Sequence, residues 1–245
     1  MPSSPLGALA RADIRVLSRD PLLPWMLLLP LALAWPMHIL APLARDALLV
    51  RTGVDLAPFY PLVMGGYVMM APGIVGMVTG FLLLDEHDSR TLTALRVTPL
   101  SVRWYLAYRV AGPLAVATAS TLVGYYVVGL TPVPLSALLS VALVGGLSAP
   151  LFALVLAAAA PNKVAGLAVV KILNAINLLP IAAAFLPIPL QYVAGVIPTY
   201  WPMRALWSAA AGESHAAYLA VGAATTVVAL AVAAWAFERR LERAL

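Results

Sequence analysis

The residues best suited to chemistry lie between Asp85 and Arg109. There Asp85-Glu86-His87-Asp88-Ser89-Arg90 is followed by Arg96, Arg103 and Arg109. A charged, helix-capable segment strung between two long apolar runs reads as a lever that a cytosolic partner pushes. Its residues match no catalytic pattern. His38, His87 and His215 are far apart, and no H-E-x-x-H, G-x-S-x-G or phosphate-cradling G-x-x-x-x-G-K-[ST] occurs. The chain therefore has no P-loop of its own with which to hydrolyse ATP. Cysteine is absent, which excludes disulfides and thiolate metal sites. We expect a chain that is not itself an enzyme and holds no cofactor.

A second polar group falls inside an apolar run. Lys171, Asn174 and Asn177 share about one-third of a helix circumference at ~100° per residue. A cation at the bilayer centre costs about 2.5–3.5 kcal/mol, so Lys171 needs a partner, water or an escape route. Two readings stand: the stripe faces a substrate pathway or a seam between copies, or Lys171 snorkels to the interface from about 12 Å beyond Lys163. Met64, Tyr67, Met69, Met70 and Thr79 lie on another apolar run. The three methionines could offer adaptable contacts to varied ligands or serve as ordinary packing.

The elements carrying these residues must be membrane helices. The chain has 245 residues, is 63% hydrophobic and 10% charged, and has a mean hydropathy of +0.95. A soluble domain carries roughly 25% charged residues, so lipid must be the solvent for most of this surface. Apolar runs at about 22–43, 59–84, 110–130, 135–160, 164–186 and 216–237 predict six spans. Prolines at 24, 30, 36 and 42 predict a bent or broken first span, followed by a loop over 44–58. Gly76 and Gly80 form a G-x-x-x-G pair that lets another helix approach closely. Prolines and aromatic residues over 187–212 predict short re-entrant helices near the head groups.

Residues 6–20 alternate apolar and basic faces and read as a helix lying in the interface, or as a disordered basic leader. The first apolar run is too long for a signal peptide, so the N-terminal segment is expected to be retained. With no internal repeat or long linker, residues 1–245 read as one domain: an interfacial segment to 21, six spans over 22–237 and a charged tail over 238–245.

Basic residues set the orientation. Arg11, Arg15, Arg19, Arg90, Arg96, Arg103, Arg109, Lys163, Arg239, Arg240 and Arg243 fall on one side; only Arg45, Arg51 and Arg204 fall on the other. The positive-inside rule then places both termini and the 85–109 segment in the cytoplasm. Within that segment Asp85, Glu86 and Asp88 suit the start of a new helix, with Ser89 as its cap. Pro99 disfavours helix at Thr98, and Ser101 can cap the next helix. Leu92 and Leu95 give the short helix an apolar face that a partner protein or lipid must cover.

The order Glu86-His87-Asp88-Ser89-Arg90-Thr91-Leu92, then Thr98-Pro99-Leu100-Ser101 and Tyr105-Leu106, resembles the coupling-helix signature of ABC-2-type exporter permeases. Arg19-Asp20-Pro21-Leu22-Leu23, Pro161-Asn162-Lys163 with Lys171, and Pro198-Thr199-Tyr200-Trp201-Pro202 are similar to that family's lead-ins to span one, span five and the outer helices before span six. Within the family the chain looks closest to small permeases of the fluoroquinolone-export kind. It departs from the pattern at Ser89-Arg90, where a glycine often precedes Thr-Leu.

The resemblance implies an all-α fold of six spans with a cytoplasmic coupling helix. It implies a bacterial plasma-membrane exporter, a second permease copy or a related one, and separate ATPase subunits that bind ATP and magnesium. Glu86, Asp88, Arg90, Thr91, Leu92, Leu95, Arg96 and Pro99 would then couple to the ATPase. A hydrophobic or amphipathic substrate would pass along spans two and five, past Met64, Tyr67, Met70, Thr79, Lys171, Asn174 and Asn177. Lipids are further partners and nucleic acid is not one. A secondary transporter is the first alternative, but it usually needs mid-membrane carboxylates or ion ligands, and no pair of acids falls inside a span here. A membrane scaffold without a transport path is the second.

Overall fold

The computed structural model describes Gly7, Arg11, residues 13–15, 18–19, 22–88 and 102–243. Among these every regular element is helical. In chain order the helices are α1 (Leu22–Thr52), α2 (Tyr60–Asp88), α3 (Val102–Val128), α4 (Leu135–Gly146), α5 (Ser148–Ala159), α6 (Lys163–Ala183), α7 (Ile188–Gln191), α8 (Tyr200–Ala210) and α9 (Ala216–Arg243). Six stretches are long and apolar enough to cross a membrane, with α4 and α5 together making the fourth. The chain is a multi-pass membrane protein.

Helix α1 runs unbroken for 31 residues although Pro30, Pro36 and Pro42 lie inside it. Each proline removes a backbone donor, and neighbours grip the helix from the side. Tyr67 Oη donates to Pro30 O at 2.9 Å, Tyr60 Oη to Ala41 O at 3.4 Å, and His38 Nδ1 to Val128 O at 3.1 Å. The helix also takes in residues 44–52, which the sequence assigned to a loop. At about 46 Å it exceeds a hydrocarbon layer of about 30 Å, so its charged end lies beyond the lipid core. Gly53, at φ 74°, ends it in the left-handed conformation that glycine adopts freely, its N–H bonding Leu49 O at 2.9 Å.

Arg45 then closes on Asp55 at 2.6 Å, and the Asp55 carboxylate also accepts from the Ala57 N–H at 3.0 Å. These bonds hold the 3-10 turn Ala57–Phe59 that leads into α2. The hydrogen bonds from Arg45 and from the Ala57 amide lower the Asp55 carboxyl from an ordinary 3.8 to about 2. A depressed carboxylate contributes stability that is complete above its unfolded value and disappears as pH falls through its folded one. The thermal midpoint of the parent minus that of Asp55→Asn is therefore expected to be flat at neutral pH and to shrink between pH 3.8 and about 2. A difference that widens on acidification would contradict this clamp.

Helix α2 is the axis of the bundle. Within their most apolar windows, 78% of span two and 67% of span four are buried, against 11% of spans one and five and 17% of span six. Spans two and four thus form the core, and α1, α6 and α9 turn apolar faces outward. Gly76 and Gly80 explain the tightest contact. A Cβ on Gly76 would lie 2.5 Å from Ala149 O, and one on Gly80 would lie 2.6 Å from Leu156 Cδ2. The G-x-x-x-G pair seats α5 of the same chain. Span four breaks at Leu147, between α4 and α5. Pro150 in the first turn of α5 has no N–H for Gly146 O, and the glycines at 145 and 146 permit the break.

Candidate functional site

Helix α2 ends on three acids, Asp85, Glu86 and Asp88. The sequence reading had these acids opening a new helix, where the dipole favours them. They instead occupy the last turn of the old one, where it opposes them. Cations from elsewhere answer that cost. Lys163, the first residue of α6, places Nζ 2.7 Å from Asp85 Oδ2. Arg109, in the second turn of α3, pairs with Glu86, which also accepts from Tyr105 Oη.

The Arg109 guanidinium is shared. Nη1 and Nη2 also donate to the two oxygens of Asp13 at 2.9 and 3.2 Å, and Tyr108 Oη donates to Asp13 Oδ2 at 2.8 Å. The rings of Tyr105 and Tyr108 flank the cation at 5.3 and 5.5 Å. Arg109 is only 4% exposed, a depth at which a charge persists only when it is paired and hydrogen-bonded. One buried cation thus ties the N-terminal segment, the end of α2 and the start of α3 into a single knot. Arg240 of α9 reaches the carbonyls of Ala157 and Ala160, capping the C-terminal end of α5.

This polar base frames the stretch between Asp88 and Val102. The coupling residues Arg90, Thr91, Leu92, Leu95, Arg96 and Pro99 lie outside the described residues. Asp88 is the last residue of α2. Glu86 faces inward, onto Arg109 and Tyr105. In the sequence Arg109 closes the polar segment and adds to the basic side, and Tyr105 belongs to the family signature, but neither is paired there with Glu86 or Asp13, and Tyr108 carries no expectation. A signal was present: a cation at the lip of an apolar run demands a partner, and Asp13 is an acid set between Arg11 and Arg15.

The residues assigned to a pathway do not come together. Met64 and Tyr67 are buried in the core cluster, Met70 packs against it, and Thr79 is buried. Lys171 and Asn174 are exposed on α6, while Asn177 accepts from Thr199 Oγ1 at 2.7 Å. Asn174 and Asn177 do meet α2 and α5 across a small hollow lined also by Gly73, Met77, Phe152 and Leu156.

Comparison with known proteins agrees with this architecture. The family described as "Fluoroquinolones export permease protein Rv2686c-like" matches residues 13–234. Two relatives from Mycobacterium tuberculosis, named fluoroquinolones export permease protein MT2760 (strain CDC 1551 / Oshkosh) and Rv2686c (strain ATCC 25618 / H37Rv), are each 36% identical over 221 residues. Those alignments cover 89% of this chain and 88% of each relative. No solved structure matches the chain. The family match runs from Asp13, the N-terminal acid of the buried knot, into the sixth span, and the chain belongs to the Rv2686c-like fluoroquinolone export permease family.

Proposed function

We propose that this chain is the membrane subunit of an ATP-driven exporter and that a separate ATPase drives it through residues 89–101. The observation that carries the reading is the buried Arg109 knot. It fastens the helix before that stretch to the helix after it and to the N-terminal segment. A push on residues 89–101 therefore moves α2 and α3 together, and α2 is the axis on which spans four and five pack. In this reading Glu86 is a positioning residue, while Asp88, Arg90, Thr91, Leu92, Leu95, Arg96 and Pro99 meet the partner. ATP and magnesium belong to that partner, and this chain performs no hydrolysis.

The excess of basic residues puts both termini and the knot in the bacterial cytoplasm. The short helices α7 and α8 dip back toward the lipid from the outer side. Two copies, or this chain and a related one, pair along the exposed Lys171 and Asn174 face of α6. The cargo is an amphipathic, drug-like molecule, in keeping with what its relatives are named for.

The test is co-purification in mild detergent. A P-loop ATPase is expected to elute with the tagged chain. Asp88→Lys combined with Arg96→Glu is expected to release it and to stop fluoroquinolone efflux from cells, while the permease stays monodisperse with an unchanged thermal midpoint. No co-eluting ATPase, together with efflux unaffected by the double substitution, overturns the proposal.

A further inference from the structure

The chain leading into α1 meets the bundle at two points. Leu23 packs against Val78 and Leu82 of α2. Asp13 bonds the same Arg109 guanidinium that holds Glu86, one turn past Leu82. A straight helix would carry Asp13 about 15 Å beyond Leu23, whereas Leu82 and Glu86 are about 6 Å apart along α2. The segment therefore crosses the bundle near the Glu86 turn instead of extending the axis of α1. Span two ends at Glu86, so this is the level at which hydrocarbon gives way to head groups. Trp25 and Trp104 stand exposed close by, and tryptophan gathers at that depth.

The described residues of the segment are helical. At about 100° per residue, Arg11, Arg15 and Arg19 share an arc of about 80°, and Asp13 lies about 160° from its middle. With Asp13 held by Arg109, the three arginines face away from the bundle, and all three are exposed. None pairs with a carboxylate among the described residues. Ile14, on the flank between Asp13 and the arginines, is 63% exposed.

A row of like charges at head-group depth, flanked by an exposed apolar side chain, is complementary to phosphates lying over acyl chains. We propose that Arg11, Arg15 and Arg19 form a docking row for anionic phospholipids, with Ile14 set among the acyl chains and Arg109 fixing the row's orientation through Asp13. The exposed apolar surfaces of Ile14 and Trp25 favour lipid over an acidic protein as the cover. The row's chemistry does not depend on the export reading.

The experiment uses the full chain in dodecyl maltoside, titrated with short-chain phosphatidylglycerol or phosphatidylcholine, with the thermal midpoint as the readout of binding. Phosphatidylglycerol is expected to raise the midpoint saturably, at a concentration at least tenfold below that at which phosphatidylcholine does so. Changing any one of the three arginines to Gln is expected to weaken phosphatidylglycerol about fivefold, and changing all three about a hundredfold. In lipid-free micelles the variants should melt like the parent, because the replaced side chains are exposed. The single variants carry the test if the triple does not fold. Arg51→Gln, at the far end of α1, is expected to leave the preference unchanged, and inorganic phosphate is expected not to move the midpoint.

Equal response to the two lipids, or a triple variant that binds phosphatidylglycerol like the parent, overturns the row. A rise as large with inorganic phosphate also overturns it, leaving a surface that takes any anion. A triple variant that keeps its lipid preference but loses a co-eluting ATPase assigns the arginines to a protein instead. No ATPase is present in the titration, so its failure and failure of the export reading are separately visible.

Discussion

Arg109→Met is expected to cost about 3–5 kcal/mol of stability and, on the proposed function, to abolish ATP-driven export. The substitution leaves Asp13 and Glu86 facing each other across a buried site with no cation between them. Arg109→Lys should fall between parent and Met, because a compact ammonium cannot offer two carboxylates the fork that the guanidinium presents. The informative variant is the triple Asp13→Asn, Glu86→Gln, Arg109→Met. Neutralising a whole buried network is often close to neutral for folding, so the triple variant should recover most of the lost thermal midpoint. It should still fail to export, because the rigid tie across residues 89–101 is gone. Recovery of both folding and export would show that the knot serves stability alone.

Gly76→Ala is expected to destabilise by about 1–3 kcal/mol, the usual cost of overpacking. Its new Cβ would meet a backbone oxygen, Ala149 O, at 2.5 Å and Phe152 Cβ at 2.8 Å. Neither atom can swing away, so α5 itself must shift. Gly80→Ala should be milder, because its Cβ meets the Leu156 side chain. Gly73→Ala meets nothing within 4 Å and should fall within about 0.5 kcal/mol of the parent. Denaturant or thermal unfolding in detergent gives the order directly. Equal effects at Gly73 and Gly76 would contradict the packing of α2 on α5.

The sequence announces the six spans because each is a long and predominantly apolar run, even the fifth with Lys171, Asn174 and Asn177 inside it. It announces the G-x-x-x-G groove too, though not which helix fills it. Helix ends are harder. Residues 44–52 look like a loop because Arg45, Asp46 and Arg51 are charged, but beyond the lipid core charge does not stop a helix, and Gly53 does. Asp85 to Asp88 look like a helix start because acids belong there; Lys163 and Arg109, distant in sequence, reverse that logic.

The Arg109 knot depends on Asp13, 96 residues away, a pairing that no local pattern encodes.

The central claim is that residues 89–101 receive a cytosolic ATPase and pass its motion to α2 and α3. A photo-crosslinking amino acid at Leu95, activated in intact cells, tests it most directly. The account predicts one major protein adduct, identified by mass spectrometry as a P-loop nucleotide-binding subunit, its yield changing with ATP. Adducts with lipid alone, or labelling of that position from outside the cell, would contradict it.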